Sequence, residues 1–490
     1  MTTDGQFRRL SATSVGADLP YDRSLVTPGI VHLGVGAFQR AHLAIYVDDI
    51  LGADPSWGII GASLRRPDTR AALAPQDFLY TLVVRDDVAT HMRVVGALLD
   101  LLDATVQRDE LLTAMADPRI RIISLTVTEK GYCHDPATGW IDPAHPDILH
   151  DLANPHVPVS VPGLIVRALE MRRAAALPPL AVLSCDNLPA NGETTARVVT
   201  GFAEMRDDDL AQYIRREIAF PSTMVDRIVP ATTEVDCALV KQVAGYLDAW
   251  PVVTEPFTQW VVEDRFPGGR PPWERVGAEL VADVRPFELM KLRMLNGSHS
   301  ILAYLGYLGG CVHIAEAVAN PLLRRLIHDF MTDEVMATLP VGLGDLAVYR
   351  DLLLRRFANT ALKHRTWQIA MDGSQKLPQR LLGTIRERLA RGLAATRATL
   401  GVAAWLRYAS GIDEHGKDID VRDPLADRLK AALSAGAPVA ALGRALNMNE
   451  VFGADLPQSE VFRAELLKQY ASLLERGALE TVKHLVEGGR

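Results

Sequence analysis

Three polar side chains of complementary chemistry lie close together in one predicted helix. Lys291, Asn296 and His299 supply an amine, an amide and an imidazole. On an α-helix that turns by about 100° per residue, Asn296 lies roughly 140° and His299 roughly 80° from Lys291, so all three share one sector. This spacing allows the three side chains to converge on one small molecule.

The neighbours of Lys291 favour proton transfer without a metal. Met290, Leu292 and Leu295 flank the lysine, and burial among apolar side chains disfavours the ammonium form and lowers its pKa towards the working pH. Asn296 can donate a hydrogen bond to a developing alkoxide. The same three residue types on an amphipathic helix are also typical of a solvated stripe, so other motifs must decide between the two interpretations.

Length and charge limit the class of protein. A chain of 490 residues exceeds what one hydrophobic core usually supports, which predicts two large domains. The net charge is −8 and no block of basic residues occurs, so a nucleic acid is not expected as a partner. The N-terminus lacks a signal-peptide core, and no apolar run reaches about 18 residues, which predicts a cytoplasmic protein with no membrane partner.

Cysteine usage indicates neither a disulfide framework nor a structural zinc site. The four cysteines are scattered along the chain and form no Cys-x-x-Cys pair. We therefore expect no metal.

A glycine-rich turn follows the first predicted strand. The β-prone residues 30–33 precede Gly34 and Gly36, and residues 43–51 have helical periodicity. In a strand, turn and helix of this order, the helix N-terminus offers free N–H groups to a pyrophosphate. The third small residue of this motif is replaced by Gln39, so the glycine pair indicates a dinucleotide site only together with its flanks.

The next predicted strand, residues 58–64, ends in two arginines and an acid. Asp68 is placed to accept hydrogen bonds from a ribose and so to favour NAD. Arg65 and Arg66 beside it can instead bind a phosphate group. Asp68 can equally cap a helix over residues 69–73.

Polar residues also follow two later strands that read as buried. The β-branched run that begins at Ile120 ends in Thr128 and Glu129, and residues 180–184 are followed by Asn187. The carboxyl ends of parallel strands meet at one edge of a sheet, where ligands bind. The alternative is a surface salt bridge for Glu129.

Alternation of strands and helices predicts an α/β Rossmann-type N-terminal domain, residues 1–285, which binds NAD. Residues 80–84 and 91–95 are expected to form a hairpin. From about residue 286 the pattern changes to long segments of 3.6-residue period, which predicts an all-α C-terminal domain, residues 286–490. We expect the active site in the cleft between the two domains.

Five separated motifs together resemble the polyol-specific long-chain dehydrogenases, the mannitol dehydrogenase family. They are residues 30–42, 126–132, 184–187 and 224–228, and the helix of Lys291. The resemblance runs from about Tyr21 to about Ala478. It implies a zinc-independent, NAD-linked oxidoreductase, monomeric, that acts on a sugar acid or a polyol.

The resemblance also implies roles for single residues. Lys291 resembles the general acid/base, Asn187 and Asn296 the pair that holds the reacting oxygen, and His299 the orienting residue. Two further residues resemble substrate-site groups: Glu129, a carboxylate linked to proton passage, and Asp226, a contact to a substrate hydroxyl. The implied cofactor-binding residues are Gly34, Gly36, Ala37, Phe38, Asp68 and Thr128.

Within the family, residues 359–380 look like the fructuronate reductase branch, which converts D-fructuronate and D-mannonate into each other. Mannitol dehydrogenases typically carry arginine where Trp367 and Gln368 stand here. A uronate adds one carboxylate, which a guanidinium grips with two hydrogen bonds. Arg365, with Lys376 as a second cation, is the candidate clamp, although residues 363–365 can also be a solvated basic face.

Three rival functions remain open. The first is a mannitol 2-dehydrogenase or pentitol dehydrogenase, with the same chemistry on an uncharged substrate. The second is a non-catalytic NAD-binding protein, and the third a zinc alcohol dehydrogenase. The presence of Lys291, Asn296 and His299 weakens the second.

Overall fold

A computed structural model describes residues 7–15, 19–135, 138–434 and 436–488 of the chain. The chain divides into two compact units, Met1–Arg285 and Pro286–Arg490.

A parallel five-stranded sheet forms the centre of the first unit. Its strands are β1 (Pro28–Leu33), β2 (Gly58–Ser63), β3 (Leu98–Asp103), β4 (Ile122–Leu125) and β5 (Ala181–Ser184). They lie in the order β3-β2-β1-β4-β5, and all neighbouring pairs are parallel. The chain thus proceeds outward on one side of β1 and then on the other, so the topological switch point lies between β1 and β4. The predicted Rossmann-type fold is confirmed.

Smaller sheets and helices surround this sheet. The remaining strands are Arg8–Arg9 paired with Tyr246–Leu247; Tyr80–Arg85, Thr90–Val95 and Val252–Thr254; and Thr223–Asp226, Gln259–Glu263 and Glu279–Val281. The helices are Ala12–Val15, Ala37–Ala41, Leu43–Asp48, Asp68–Leu73, Arg108–Met115, Pro146–Ala153, Val161–Ala174, Asn191–Glu204, Asp208–Glu217 and Glu234–Ala244. Short 3-10 turns are Arg23–Leu25, Pro55–Trp57, Ala74–Gln76, Glu129–Tyr132 and Trp273–Val276.

The burial of each strand determines whether its sequence pattern predicts it. All four residues of β4 and all four of β5 are buried, as their continuous apolar runs predict. The expected hairpin is confirmed, because Tyr80–Arg85 pairs antiparallel with Thr90–Val95. Strand β3 was not predicted, because its aspartates at every third position break both the apolar run and the alternation typical of a strand.

The second unit is helical, as predicted. Its helices are Arg285–Met290, Gly297–Leu308, Ile314–Ala319, Pro321–Asp329, Leu346–Phe357, Thr366–Ala370, Gly373–Leu377, Gly383–Ala390, Thr396–Ala409, Ala426–Leu433, Pro438–Leu446, Asn449–Phe452, Glu460–Arg476 and Ala478–Glu487. Short 3-10 turns are Met336–Thr338, Thr360–Leu362 and Leu456–Gln458. Gly297–Leu308, here called the central helix, is buried along most of its length and packs on Thr396–Ala409.

Three segments of the second unit are π-helical rather than α-helical: Lys291–Asn296, Phe330–Val335 and Pro378–Leu382. Lys291–Asn296 leads directly into the central helix and contacts Pro378–Leu382. In a π-helix each N–H bonds five residues back, so five residues make little more than one turn, and Lys291 and Asn296 lie closer to one face than on an α-helix. The α-helical angle of roughly 140° between these two residues was therefore wrong, and the two side chains are better aligned than the sequence suggested.

Among the residues described, no helix is both long and apolar enough to cross a membrane. The four cysteines are free thiols.

Candidate active site

The turn after β1 presses the backbone against the end of β4. Gly34 has a φ of +88°, and a Cβ atom there would lie 2.3 Å from the carbonyl oxygen of Thr126, so only glycine fits. At Gly36 the nearest atom to such a Cβ is 4.0 Å away. The space in front of Gly36 is therefore open, as a phosphate-binding turn requires.

A pocket of about 470 Å³ opens at the carboxyl edge of the sheet beside this turn. Its volume falls within the range of about 300–1,000 Å³ that is usual for small-ligand sites. The ends of β1, β2 and β4 form its walls, together with the start of Val161–Ala174. Gly34 and Thr128, two predicted cofactor-binding residues, line it. The pocket thus lies at the switch point of the sheet, where Rossmann folds bind dinucleotides.

Three other predicted cofactor-binding residues lie in the turn and in the helix that follows it. Gly36 caps Ala37–Ala41, and both Ala37 and Phe38 are half-buried in its first turn. The Phe38 ring stacks on His42 with 4.9 Å between the ring centroids. These three residues are not among those that line the pocket, and their contact with a cofactor stays a prediction.

The end of β2 brings two arginines to the pocket wall. Arg65 and Arg66 line the pocket and are exposed. Asp68 is also exposed, but it begins Asp68–Leu73 and is not among the lining residues. The N-cap position of this helix is Pro67, so Asp68 lies in the first turn and not at the N-cap position that we gave as its alternative role. Its part in cofactor choice stays a prediction.

Thr128 has a backbone conformation that is usual only for glycine, with φ +62° and ψ +166°. Asp186, which follows β5, fixes this conformation. Its carboxylate accepts hydrogen bonds from the N–H groups of Val127 and Thr128, both at 3.0 Å, and from the Tyr132 hydroxyl at 2.8 Å. Burial raises the pKa of Asp186. Strain at a residue that lines a ligand pocket is typical of a functional site.

A second hollow of about 350 Å³ lies beside Thr128. Glu129 and Asn187 line it, and both side chains are exposed. Because Glu129 follows β4 and Asn187 follows β5, the sheet brings them together as expected for adjacent parallel strands.

Asp226 lies elsewhere in the first unit. It ends the strand Thr223–Asp226, faces Gln259 across an antiparallel pair, and is only 5% exposed. It is not among the residues that line either hollow.

The described residues include one group of possible metal ligands, which the sequence did not indicate. Side-chain atoms of Cys133, His145 and Asp147 lie within 4.8 Å of one another. However, Nδ1 of His145 already accepts the N–H of Asp147 at 3.2 Å, and burial raises the pKa of Cys133 to about 12. Both features favour a structural role.

In the second unit, several buried polar atoms near Lys291 have no hydrogen-bond partner among the described residues, and two of them belong to predicted site residues. These two are Oδ1 of Asn296 and Nε2 of His299. Lys291 and Asn296 begin and end the π-helical segment, and His299 lies in the first turn of the central helix. Leaving a buried polar group unpaired costs about 1–3 kcal/mol. Both atoms are therefore suited to contact a polar ligand.

His299 lies among positive charges. Burial lowers its pKa well below 6.5, so the imidazole is neutral at neutral pH. Charge repulsion lowers this pKa further, and it comes from His364, Arg380, Arg356 and Lys376. The rings of His299 and His364 are stacked with 5.6 Å between their centroids. Arg380, Arg356 and Lys376 are cationic at neutral pH, and such a concentration of positive charge attracts an anion.

The two residues of the predicted clamp lie in different surroundings. Arg365 is exposed immediately before Thr366–Ala370, and its backbone pairs with His313. Lys376 is half-buried, donates to the Met371 carbonyl oxygen at 2.6 Å and lies 3.7 Å from the Asp372 carboxylate. Of the two, Lys376 is the one whose charge acts on His299.

We assigned no site role from the sequence to Arg356, His364 or Arg380. Arg356 is buried at the end of Leu346–Phe357, and Arg380 lies in the π-helical segment Pro378–Leu382. Each arginine stands next to a large apolar residue, Phe357 or Leu381. An arginine next to a large apolar residue is the feature of the sequence that could have indicated these two positions.

The strain at Thr128 gives a stability prediction. We expect Thr128→Gly to raise the thermal unfolding midpoint, because glycine adopts this conformation without the strain of about 1–3 kcal/mol. The measurement is differential scanning calorimetry. The control is Thr90→Gly, an exposed residue of Thr90–Val95, which should lower the midpoint slightly because glycine in a strand loses more chain entropy. A lower thermal unfolding midpoint for Thr128→Gly than for the wild-type protein would contradict the presence of backbone strain at Thr128.

Two family models together match most of the chain. Residues 28–275 match the mannitol dehydrogenase Rossmann domain, and residues 283–474 match the mannitol dehydrogenase C-terminal domain. D-mannonate oxidoreductase of Escherichia coli is 46% identical over 96% of this chain and 100% of that protein. An uncharacterized Escherichia coli oxidoreductase, YdfI, is 47% identical over 96% and 98%.

A solved structure is also similar along the whole chain. Mannitol 2-dehydrogenase of Pseudomonas fluorescens, in a ternary complex with NAD and D-mannitol, is 39% identical. The match covers 98% of this chain and 99% of that one, with a TM-score of 0.86. The chain belongs to the mannitol dehydrogenase family of oxidoreductases.

Proposed function

We propose that the chain is an NAD-dependent, zinc-independent secondary alcohol dehydrogenase that interconverts D-fructuronate and D-mannonate. The observation that carries this proposal is the positive charge around His299, next to the unpartnered atoms of Asn296 and His299. A uronate differs from a polyol by a carboxylate, which this charge favours. The 46% identity to D-mannonate oxidoreductase supports the same substrate pair.

Features of the first unit support NAD as the cofactor. The open space at Gly36, the tight turn at Gly34 and the pocket at the switch point fit a dinucleotide, and the Pseudomonas fluorescens relative binds NAD. Gly34, Gly36 and Thr128 would hold it, with Ala37 and Phe38 supporting the turn. When bound in its reduced form, the cofactor supplies the hydride.

Lys291 acts as the general acid in the reductive direction. As the hydride adds to the C5 carbonyl carbon, the C=O electron pair moves to the oxygen, and the Lys291 ammonium gives that oxygen a proton. In the oxidative direction the neutral amine takes the proton from the C5 hydroxyl. The half-buried position of Lys291 between Met290 and Leu292 limits its contact with water.

The remaining site residues hold the substrate or move protons. Amide groups of Asn187 and Asn296 donate to the developing alkoxide, a contribution of about 3–4 kcal/mol per donor in other enzymes. Neutral His299 hydrogen-bonds a substrate hydroxyl and so orients the reacting carbon. Exposed Glu129 passes the proton to solvent, and Asp226 accepts a hydrogen bond from a further substrate hydroxyl.

A mannitol 2-dehydrogenase or a related pentitol dehydrogenase is the second candidate. It is favoured by the relative of 39% identity that binds D-mannitol. The roles of Lys291, Asn296 and His299 are the same in both, because only the group remote from the reacting carbon differs.

Replacement of Lys291 tests the proposed chemistry. We expect Lys291→Ala to lower kcat by about 10³-fold, within the range of general acid–base contributions, and to leave NADH binding nearly unchanged. Steady-state rates and NADH fluorescence titration measure the two effects. Lys483→Ala, at an exposed position of Ala478–Glu487, should change neither. Retained turnover in Lys291→Ala would assign the proton transfer to another group.

The neutral state of His299 gives a pH prediction. Because burial and the surrounding cations hold the pKa of His299 well below 6.5, the imidazole does not titrate in the neutral range. We therefore expect His299→Asn to lower kcat/KM without changing the shape of its pH profile. A profile limb near the ordinary histidine value that disappears in the variant would show that His299 titrates during catalysis.

A further inference from the structure

Two buried arginines of this protein, Arg172 and Arg293, have several hydrogen-bond acceptors each. Arg172 donates to three carbonyl oxygens, at 2.9–3.2 Å. Arg293 pairs with the Glu387 carboxylate at 2.6 Å and donates to the Thr338 carbonyl oxygen at 3.0 Å. A guanidinium carries five N–H donors, so removal from water normally requires several acceptors.

Arg380 is half-buried and has fewer acceptors than these two arginines. Its Nη1 donates to the Ser300 hydroxyl at 3.1 Å, and this is the hydrogen bond that the described residues provide for its guanidinium. Burial lowers the pKa of Arg380 to about 10, and the Tyr304 hydroxyl alone opposes this shift. Within the described residues, no carboxylate lies at ion-pair distance from Arg380. The protein therefore holds a half-buried positive charge that has one hydrogen bond and no carboxylate partner in the described part of the chain.

Arg380 lies beside the proposed catalytic residues. Ser300 follows Asn296 by one helical turn, about 6 Å along the axis, so the two lie on one face of the central helix. The backbone of Arg380 lies against Gly297, since a Cβ there would be 3.0 Å from the Arg380 carbonyl oxygen. Its charge also acts on His299.

The neighbouring cation is better compensated than Arg380. Lys376 has the Asp372 carboxylate at 3.7 Å and a carbonyl oxygen at 2.6 Å. Arg365 is exposed, so water solvates its charge. Arg380 thus combines an unmet need for an anion with a position next to Asn296 and His299.

We propose that Arg380 binds the carboxylate of the substrate through paired N–H···O hydrogen bonds, with Ser300 holding the guanidinium in place. This inference rests on the proposed function and specifies which residue gives preference for a sugar acid over a polyol. A substrate carboxylate meets two donors at once and supplies the missing negative charge. A polyol supplies neither, so it gains nothing from Arg380.

Substitution of single arginines, with two substrates compared, tests this role. Arg380→Gln should lower kcat/KM for D-fructuronate by about 100-fold and that for D-fructose by no more than about 3-fold. Arg365→Gln should cause a smaller loss with D-fructuronate than Arg380→Gln. Arg355→Gln, at an exposed position of Leu346–Phe357, is the matched control and should change neither value.

Folding of each variant is checked by thermal unfolding and NADH binding. If Arg380→Gln does not fold, Arg380→Lys keeps the charge and removes the paired geometry, and should still lose about 10-fold with D-fructuronate alone. Equal losses with both substrates, or a larger loss in Arg365→Gln, would overturn the role of Arg380 while wild-type preference for D-fructuronate stands. A wild-type enzyme that prefers D-fructose would overturn the proposed function, and this inference with it.

Discussion

A half-buried guanidinium, for which the described residues provide no carboxylate partner, is the interaction on which the proposed site of the second unit depends. Desolvation of an ion costs several kcal/mol, so such a group persists only where the surrounding structure leaves it no better place. The Ser300 hydroxyl and the backbone contact with Gly297 fix Arg380 beside the central helix, which the core buries along most of its length. The central helix and two π-helical segments thus keep a positive charge near Asn296 and His299, and the proposed anionic ligand would supply the negative charge that Arg380 lacks.

In the first unit the unfavourable feature at the proposed site is backbone strain, not an uncompensated charge. Thr128 adopts a backbone conformation that glycine prefers, and three hydrogen bonds to Asp186 hold it there. Gly34 approaches Thr126 so closely that no side chain fits. These features cluster at the switch point of the parallel sheet, whose strands β4 and β5 are fully buried. In both units, well-packed elements therefore support strained or uncompensated groups at the positions where we propose that ligands bind.

Patterns that depend on neighbouring residues could be predicted from the sequence, and those that depend on distant packing could not. The apolar runs of β4 and β5 and the hairpin at Tyr80–Arg85 follow from burial and local pairing. The π-helical turn at Lys291 could not be found, because the residues of an α-helix and a π-helix look alike in sequence. Arg380 could not be distinguished from exposed Arg365, because the difference between them is burial and missing acceptors, which are created by the fold. The likeness to a known family supplied roles that spacing alone left open.

The measurement that tests the central claim most directly is oxidation of NADH by the purified wild-type protein, with D-fructuronate and D-fructose compared side by side. The ratio of the two kcat/KM values reports differential binding of the transition states. If Arg380 binds the carboxylate of the substrate, we predict a ratio of kcat/KM values of about 100 or more in favour of D-fructuronate. A ratio in favour of D-fructose would contradict this role and identify a polyol dehydrogenase.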